Sequence, residues 1–430
     1  MSYFVLMIVI FVVGYTFIAL EHPIKINKSA TALLLAAIMW AVFALMGPGF
    51  DHEALVIHLG ETAEILFFLL GAMTIVEIVD KHEGFSIITD KISTTNKRKL
   101  LWIISILTFF MSAVLDNLTT SIVMVALLRK LIDDKHERWF FAGMVILAAN
   151  SGGAWSPIGD VTTIMLWIKG NVTAAKIILE TFIPSLVSLL VPLTAITFMM
   201  KGHVTRPEIH GKDDSHPSIS TKQSNIIFFI GVGSLLFVPF FKTITHLPPY
   251  LGILFGLGIM WVVTEIMHVS NKKNYSKLNV SAVLQKVDTP SVLFFLGILM
   301  AVAALQTAGH LDLLSKSLDK IGDIYIINLI IGLLSSIVDN VPLVAAAMGM
   351  YPIAEAGHFA VDGAFWEFLA YCAGTGGSIL IIGSAAGVAV MGMEKIDFIW
   401  YLKHISIWAL LGYFAGGGVF ILISKFILHT

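Results

Sequence analysis

One aspartate in the middle of a long apolar run constrains this chain more than any other feature. Between Lys99 and Arg129 lie 29 residues, and Asp116 is the only ionisable residue among them. An uncompensated charge at the centre of a bilayer costs about 2.5 kcal/mol or more, so a carboxylate inside an apolar segment is a candidate functional group. The pair Asp116-Asn117 therefore predicts a site at membrane depth rather than an ordinary helical span.

The length of this run indicates its path. One crossing of a bilayer needs about 20 residues and two crossings about 40. A run of 29 residues interrupted at Asp116-Asn117 favours a re-entrant hairpin with this pair at its tip. One long tilted helix with a kink is the alternative.

Composition agrees with a membrane protein. Of the 430 residues, 57% are hydrophobic and 13% are charged, against about 25% charged in a soluble protein. The net charge of −2 gives no reason to expect a nucleic-acid partner, and the single cysteine, Cys372, excludes an intramolecular disulfide and a multi-cysteine metal site. Residues 3–20 lack a preceding basic segment and a small-residue cleavage site, so we interpret them as the first span rather than a signal peptide.

A second apolar run repeats the design of the first. Asp339, followed by Asn340, is the only residue that is charged at neutral pH among the 31 that separate Asp323 from Glu355. The two Asp-Asn pairs are 223 positions apart, and the glycine pairs Gly152-Gly153 and Gly376-Gly377 are 224 positions apart. Landmarks that recur in one order at one offset indicate an internal duplication.

Each half of the chain is predicted to contain three spans, a hairpin, a Gly-interrupted segment and a further span. These segments are 3–20, 29–46, 61–80, 100–129, 139–168 and 173–200, followed by 226–241, 249–268, 290–308, 324–354, 366–392 and 397–425. Because a hairpin does not cross, each half crosses five times, and an odd count inverts one repeat relative to the other. We therefore predict an all-α polytopic membrane protein of two inverted repeats, 1–200 and 226–430, each of five transmembrane helices, joined by a polar cytoplasmic linker at 201–225.

Basic residues predict the orientation of the repeats. If the N-terminus faces outside, twenty Lys and Arg residues fall in or near inner loops and six in or near outer ones. Inner loops of membrane proteins are enriched in Lys and Arg. We therefore expect both termini outside, the first hairpin to enter from the cytoplasm and the second from the opposite side.

The segments that follow the hairpins are too irregular for plain helices. Their paired glycines favour unwound backbone, which at membrane depth is tolerated only where it is buried in protein or lines a cavity. Broken helices at matching positions in two repeats indicate the binding site of a transporter, and oxygen-rich sites suit hard cations. The candidate ligands are the oxygen-bearing side chains of the tips and breaks: Asp116, Asn117, Thr119, Asn150, Ser151, Asp160, Thr162, Thr163, Ser336, Asp339, Asn340, Thr375 and Ser378.

The acids among these residues allow a proton and a metal ion to compete. Burial favours the protonated carboxyl, whereas a bound cation favours the carboxylate, so one group can hold either ion but not both. Hydroxyls in membrane helices often serve packing instead, so each of them taken singly is a weaker candidate. Asp160 has no acidic counterpart, because Ser384 takes its place in the second half. We therefore expect the first half to dominate cation binding.

The motifs Ser112–Thr120 and Asn150–Thr163, with Ser336–Pro342 and Gly374–Ser378 later in the chain, resemble those of NhaD-type sodium/proton antiporters of the ion transporter superfamily. The resemblance implies two inverted repeats with opposed hairpins, assembled as a homodimer in the bacterial inner membrane. It also implies export of Na⁺ or Li⁺ in exchange for inward H⁺ by alternating access, with no cofactor. Carried over position by position, it implies cation-site roles for the tip and break residues named above other than Ser151, less firmly for Ser336, Thr375 and Ser378.

A Na⁺-coupled carboxylate symporter or an arsenite-type permease on the same scaffold is the alternative. Superfamily carboxylate transporters have a Ser-Asn-Thr tip where this chain has Asp116-Asn117, and acids at both tips leave less room for an anionic substrate. An intramembrane aspartyl protease also uses two membrane aspartates, but its Gly-x-Gly-Asp motif is absent, since Asp160 follows Pro157-Ile158-Gly159. We therefore expect a transporter rather than an enzyme.

Overall fold

The computed structural model describes residues 3–48, 50–89, 91–207, 219–268 and 278–426. Within these ranges the regular secondary structure is helical, apart from two isolated β-bridges. Eight helices of the described ranges are long and apolar enough to cross a membrane. The predicted all-α polytopic fold is confirmed.

The first half follows the predicted order of elements. Its helices are α1 (Tyr3–Ala19), α2 (Glu21–Ile24), α3 (Lys28–Met46), α4 (His52–Lys81), α5 (Ser86–Thr89), α6 (Lys97–Leu115), α7 (Asn117–Leu131), α8 (Lys135–Gly153), α9 (Val161–Ile168) and α10 (Ala174–Met199). Helix α4 begins earlier than the predicted residue 61, because the Asp51 side chain caps it by accepting a hydrogen bond from the Glu53 backbone N–H.

The second half repeats this order. Its helices are α11 (Thr221–Thr245), α12 (Pro249–His268), α13 (Val280–Leu284), α14 (Thr289–Thr307), α15 (His310–Leu318), α16 (Ile324–Leu334), α17 (Asn340–Met350), α18 (Ala364–Gly376), α19 (Ala385–Glu394), α20 (Phe398–His404) and α21 (Ser406–Phe426). Two boundaries differ from the prediction. The last span is divided at Ile405, and α11 includes the final residues of the predicted linker, of which 208–218 lie outside the described residues.

Asp116 reverses the chain between α6 and α7. Its φ of +77° belongs to a region that residues other than glycine rarely adopt, so no continuous helix passes through it. Both outer ends of this segment bind the stretch that follows α10: Lys97 N donates to Gly202 O at 3.1 Å and Asp133 N donates to Thr205 O at 2.9 Å. The segment therefore begins and ends on one face, as a hairpin does and a kinked crossing helix does not.

The second hairpin, α16–α17, opens toward the other end of α10. The Tyr351 hydroxyl donates to Asp319 Oδ1 at 3.0 Å, which joins the two ends of this hairpin. In the loop that follows, Asp362 accepts a hydrogen bond from the backbone N–H of Thr173, directly before α10, at 2.5 Å. One hairpin is thus held at the end of α10 and the other at its start, so the two enter from opposite sides, as the sequence predicts.

The helices form two packed groups. Helices α1, α3, α4, α11, α12 and α14 contact one another in the first group, and the hairpins, the broken helices, α10 and α21 make up the second. Contacts recur with the halves exchanged, since α3 packs on α14 and α4 on α12, while α7 packs on α19 and α9 on α17. Such an exchange is what a duplicated fold with internal symmetry produces. The division of the chain at 201–225 stays a prediction.

Side-chain and backbone contacts repeat the same symmetry. Ser112 Oγ donates to Ala149 O at 2.6 Å, and its counterpart Ser335 Oγ donates to Ala373 O at 2.9 Å. A Cβ on Gly152 would collide with the Phe109 carbonyl oxygen of α6, and one on Gly376 would collide with the corresponding carbonyl oxygen of α16. The glycine pairs therefore allow each broken helix to approach its hairpin backbone to backbone.

Candidate cation site

A capping side chain stands at the start of the second arm of each hairpin and each broken helix. Asp116 caps α7, Asp160 caps α9, Asp339 caps α17 and Ser384 caps α19. The N-terminus of a helix carries partial positive charge and unpaired N–H groups, so it stabilises a carboxylate placed there. The three acids singled out in the sequence are therefore held at three matching breaks in the backbone.

Asp160 lies at the centre of the site. Its side chain is buried, and Oδ1 accepts hydrogen bonds from Thr162 N at 2.9 Å and from Thr162 Oγ1 at 2.8 Å. Thr163 completes a capping box, since its hydroxyl accepts from Asp160 N at 3.3 Å. These local bonds fix the direction of the carboxylate.

Both hairpin tips reach Asp160 through an asparagine. Asn117 Nδ2 donates to Asp160 Oδ2 at 2.6 Å, and Asn340 Nδ2 lies 3.4 Å from both carboxylate oxygens. A buried carboxylate requires compensating donors, and here they come from both repeats. The predicted residues Asn117, Asp160 and Asn340 therefore meet at one point.

Asn150 bridges the two broken helices. It is fully buried, its Oδ1 accepts from Asn117 Nδ2 at 3.0 Å, and its Nδ2 donates to Ser384 Oγ at 2.9 Å. Ser384 occupies the position that matches Asp160 in the duplication. One side chain thus connects the break in the first repeat with the break in the second.

The acids at the two tips have different partners. Asp116 accepts from Thr119 N at 2.7 Å and from Thr119 Oγ1 at 2.8 Å, and it lies within electrostatic range of Asp160. Asp339 Oδ2 lies 3.5 Å from Lys28 Nζ, and this ammonium also sits over the Phe294 ring. The charge of Asp339 is therefore balanced by a lysine, whereas Asp116 has no ion pair among the described residues.

Four predicted residues make contacts away from Asp160. The Ser151 hydroxyl lies 3.0 Å from Ser188 Oγ. Ser336, Thr375 and Ser378 donate to carbonyl oxygens three or four residues earlier in the chain, as hydroxyls in helices commonly do. Their predicted part in cation binding stays a prediction.

Lys28, which the prediction did not include, joins the site, as does Ser384, whose oxygen the sequence offers at the second break but which is not among the candidate ligands. Ser384 bonds Asn150, and the signal for it was its match to Asp160 in the duplication. Lys28 reaches Asp339 from the start of α3. It gave no signal because it stands among polar residues before a span, and its partner is distant in sequence.

Two cavities lead to the hairpin tips. One, of about 170 Å³, runs from Glu77, Asp80 and Asp288 to Thr119, the residue bonded to Asp116. Another, of about 60 Å³, adjoins Asp339. The lining of the first also includes Lys286, and Lys81 pairs with Glu77 and Asp80. Its three acids still leave the lining with a net negative charge, which favours cations.

Comparison with known proteins places the chain in a family. The family model described as "Citrate transporter" matches residues 15–367. The chain belongs to this family. "Sodium/proton antiporter 1" of Arabidopsis thaliana is 46% identical to it, over 96% of this chain and 71% of that protein. "Na(+)/H(+) antiporter NhaD" of Vibrio cholerae is 31% identical, over 94% of this chain and 89% of that protein.

Within the citrate transporter family, these relatives confirm the resemblance to NhaD-type transporters of the ion transporter superfamily. This member is a multi-pass membrane protein and a transporter. The crystal structure of the Alcanivorax borkumensis YdaH transporter is similar in fold, with a TM-score of 0.58 over 93% of this chain and 99% of that one at 12% identity. At that identity the likeness concerns the fold alone.

Proposed function

We propose that this protein exports Na⁺ or Li⁺ in exchange for H⁺ by alternating access, with Asp160 as the group at which the two ions compete. The observation that carries the proposal is the convergence of both hairpin tips on this one buried carboxylate. Burial favours a proton on Asp160 and a bound cation favours its loss. Occupancy by one ion therefore excludes the other, which couples their movements.

The side chains around Asp160 suit this alternation. Asn117 and Asn340 present their amide nitrogens to the carboxylate, and each amide also carries an oxygen on the same group. Rotation of the amides by half a turn brings these oxygens toward an ion at Asp160, together with the hydroxyl of Thr162. The resulting set of carboxylate, amide and hydroxyl oxygens is the kind that hard cations take.

The acidic cavity offers the cation a route to the site. It is lined by Glu77, Asp80 and Asp288 and reaches Thr119 at the first tip. By the distribution of basic residues we assign its mouth to the cytoplasmic face, with both termini outside. Sodium then enters from the side from which export begins. From the resemblance to NhaD-type antiporters, we propose that the protein is a homodimer in a bacterial inner membrane.

The family description raises carboxylate symport as the second candidate. A carboxylate anion at the tips would lie near Asp116 and Asp160, and like charges at such distances repel strongly in a buried site. Lys28, a cationic side chain that reaches the second tip, is already paired with Asp339. The names of the relatives, which are sodium/proton antiporters, support antiport as well.

Everted vesicles with an imposed ΔpH test this function. Addition of Na⁺ or Li⁺ is expected to dissipate ΔpH in the wild type and in Glu53→Gln, a change at an exposed acid, but not in Asp160→Asn. The asparagine keeps the size of the side chain and removes the carboxylate for which the ions compete. Sodium-dependent uptake of citrate or succinate without dissipation of ΔpH would establish symport instead.

A further inference from the structure

Glu367 is a second buried acid, outside the cation site. It lies in the first turn of α18, its side chain is fully buried, and neither carboxyl oxygen has a hydrogen-bond partner within the described part of the chain. Its neighbours Phe365, Trp366 and Phe368 are buried aromatic residues. An ionised carboxylate without partners is strongly disfavoured in such surroundings, so Glu367 holds a proton in this conformation.

Structural needs do not explain an acid at this position. A buried polar group without partners lowers stability, and an apolar side chain of similar volume would fill the same space without that cost. The residue is therefore best explained by chemistry that requires a group able to gain and lose a proton.

Charged groups lead from the protein surface to Glu367. Lys176 and Glu180 of α10 form an ion pair at 2.8 Å, in which the lysine side chain is 47% exposed and the glutamate side chain 10%. These two groups and Asp362, in the loop before α18, lie within electrostatic range of Glu367. Since Asp362 also binds Thr173 at the start of α10, this cluster lies at the end where the second hairpin opens.

Hydroxyl groups continue from Glu367 toward the interior. Tyr371 follows one turn later on α18 and is fully buried, and its hydroxyl donates to Tyr413 O at 2.7 Å. The same hydroxyl lies close to the side chains of Ser188 and Thr375. Residues four apart lie on one face of a helix, so Glu367 and Tyr371 share the face of α18 that leads to Ser188.

The remaining steps join this path to the cation site. Ser188 Oγ lies 3.0 Å from Ser151 Oγ, and Ser151 follows Asn150, a residue of the cation site, by one position on α8. Asn150 accepts a hydrogen bond from Asn117, which donates to Asp160. Buried polar groups thus extend from the outer end of α10 to the site, on the side of the site away from the acidic cavity.

We propose that Glu367 is the outer proton-binding group of this transporter and that it supplies Asp160 through the hydroxyls of Tyr371, Ser188 and Ser151. The inference rests on the proposed antiport. A proton from outer water converts the Glu367 carboxylate to the carboxyl. Each hydroxyl oxygen accepts one proton as it releases its own. Water carries the proton across the two gaps, from the Glu367 carboxyl to Tyr371 and from Ser151 to Asp160, because the amides of Asn150 and Asn117 do not relay protons. The carboxylate of Asp160 receives the proton as the cation departs. Ser151, predicted as a cation ligand, here belongs to the proton route.

Comparison of Na⁺/Na⁺ exchange with Na⁺/H⁺ exchange distinguishes a proton-binding role of Glu367 from a structural role. In proteoliposomes of the purified protein, exchange of ²²Na⁺ for Na⁺ requires the cation site alone, whereas exchange of Na⁺ for H⁺ requires the proton route as well. Glu367→Gln is expected to keep Na⁺/Na⁺ exchange within about twofold of wild type and to slow Na⁺/H⁺ exchange by about tenfold or more. Tyr371→Phe, which removes only the hydroxyl, is expected to act in the same direction. Glu53→Gln is the control.

The possible outcomes divide clearly. Normal Na⁺/H⁺ exchange in Glu367→Gln would overturn the role of Glu367. An equal loss of Na⁺/H⁺ and Na⁺/Na⁺ exchange in a Glu367→Gln protein that remains folded would overturn it as well. If Glu367→Gln does not fold, Tyr371→Phe decides, because unchanged proton coupling in that variant rejects the route. Failure of the proposed antiport has a different signature, since the wild type itself would then lack Na⁺/H⁺ exchange.

Discussion

The side-chain amide of Asn340 lies 3.4 Å from both carboxylate oxygens of Asp160, although the two residues are 180 positions apart. Asn117, at the tip of the other hairpin, donates to the same carboxylate. The duplication has therefore not produced two equal sites. It has produced one acid on the first broken helix, with an asparagine from each repeat beside it.

Because Asn117 and Asn340 both contact Asp160, we predict that they contribute similarly to the apparent affinity for Na⁺. Asn117→Ala and Asn340→Ala are each expected to raise the apparent KM for Na⁺ by about tenfold, or 1.4 kcal/mol, because each removes one amide oxygen from the ion and one donor from the free carboxylate. Asn225→Ala on α11 is the matched control. The measurement is Na⁺-dependent proton flux in vesicles. An effect confined to Asn117 would show that the second hairpin does not bind the ion.

Asp339 is expected to matter less for cation affinity than Asp160, because Lys28 already lies against it. Asp160→Ser, which makes the first repeat imitate Ser384, should raise the KM for Na⁺ by more than about tenfold and displace the pH profile. Asp339→Asn should raise it by less. Vesicle assays at several pH values measure both. A large shift in Asp339→Asn with an unchanged profile in Asp160→Ser would place coupling in the second repeat.

The glycine pairs predict a packing defect that both repeats share. Gly152→Ala and Gly376→Ala each force a Cβ against a backbone carbonyl of the hairpin, and overpacking of this kind costs about 1–3 kcal/mol. Gly418→Ala on α21 has open space for its Cβ and serves as the control. Thermal unfolding in detergent should show lower midpoints for the first two variants. Equal midpoints for all three would contradict the close approach.

Opposed hairpins predict opposite labelling of two exposed positions. Lys201 follows α10 near the base of the first hairpin, and Glu355 lies in the loop after the second. Because Cys372 is buried, it should react little with maleimide, so the labelling of a single cysteine introduced at either position can be measured directly. Lys201→Cys should react with an impermeant maleimide only from the cytoplasmic side and Glu355→Cys only from outside. Reaction from the same side would contradict the inverted arrangement.

Local patterns predict much of this fold and part of the site. A lone acid in an apolar run indicates each hairpin tip, and paired glycines indicate each break, because both signals lie within a few residues of the feature. The partners of those residues do not follow from such patterns. Ser384 is the counterpart of Asp160 in the half of the chain that contains Asn340. Nothing near Asn340 indicates that its side chain contacts Asp160 rather than Ser384, because that choice depends on how the two repeats pack.

Glu367 shows a different limit of sequence reasoning. It stands five residues after Asp362, so it resembles a solvated acid at the outer end of a span. Its burial follows from the loop between α17 and α18, which folds over the start of α18: Phe365 N donates to His358 O at 3.1 Å, and Trp366 Nε1 donates to Phe359 O at 3.0 Å. Hydrophobic periodicity within one helix does not reveal such a cover.

The stretch that follows α10 has a consequence for how the protein is made. Val204 N donates to Thr95 O at 2.8 Å, and Thr205 O accepts from Asp133 N at 2.9 Å, so the first hairpin is fastened at its base by residues synthesised long after its tip. During translation, the nascent chain therefore inserts α6 and α7 before their anchor exists. The anchor emerges only when α10 is complete, so the base of the first hairpin is closed just before synthesis of the second repeat begins.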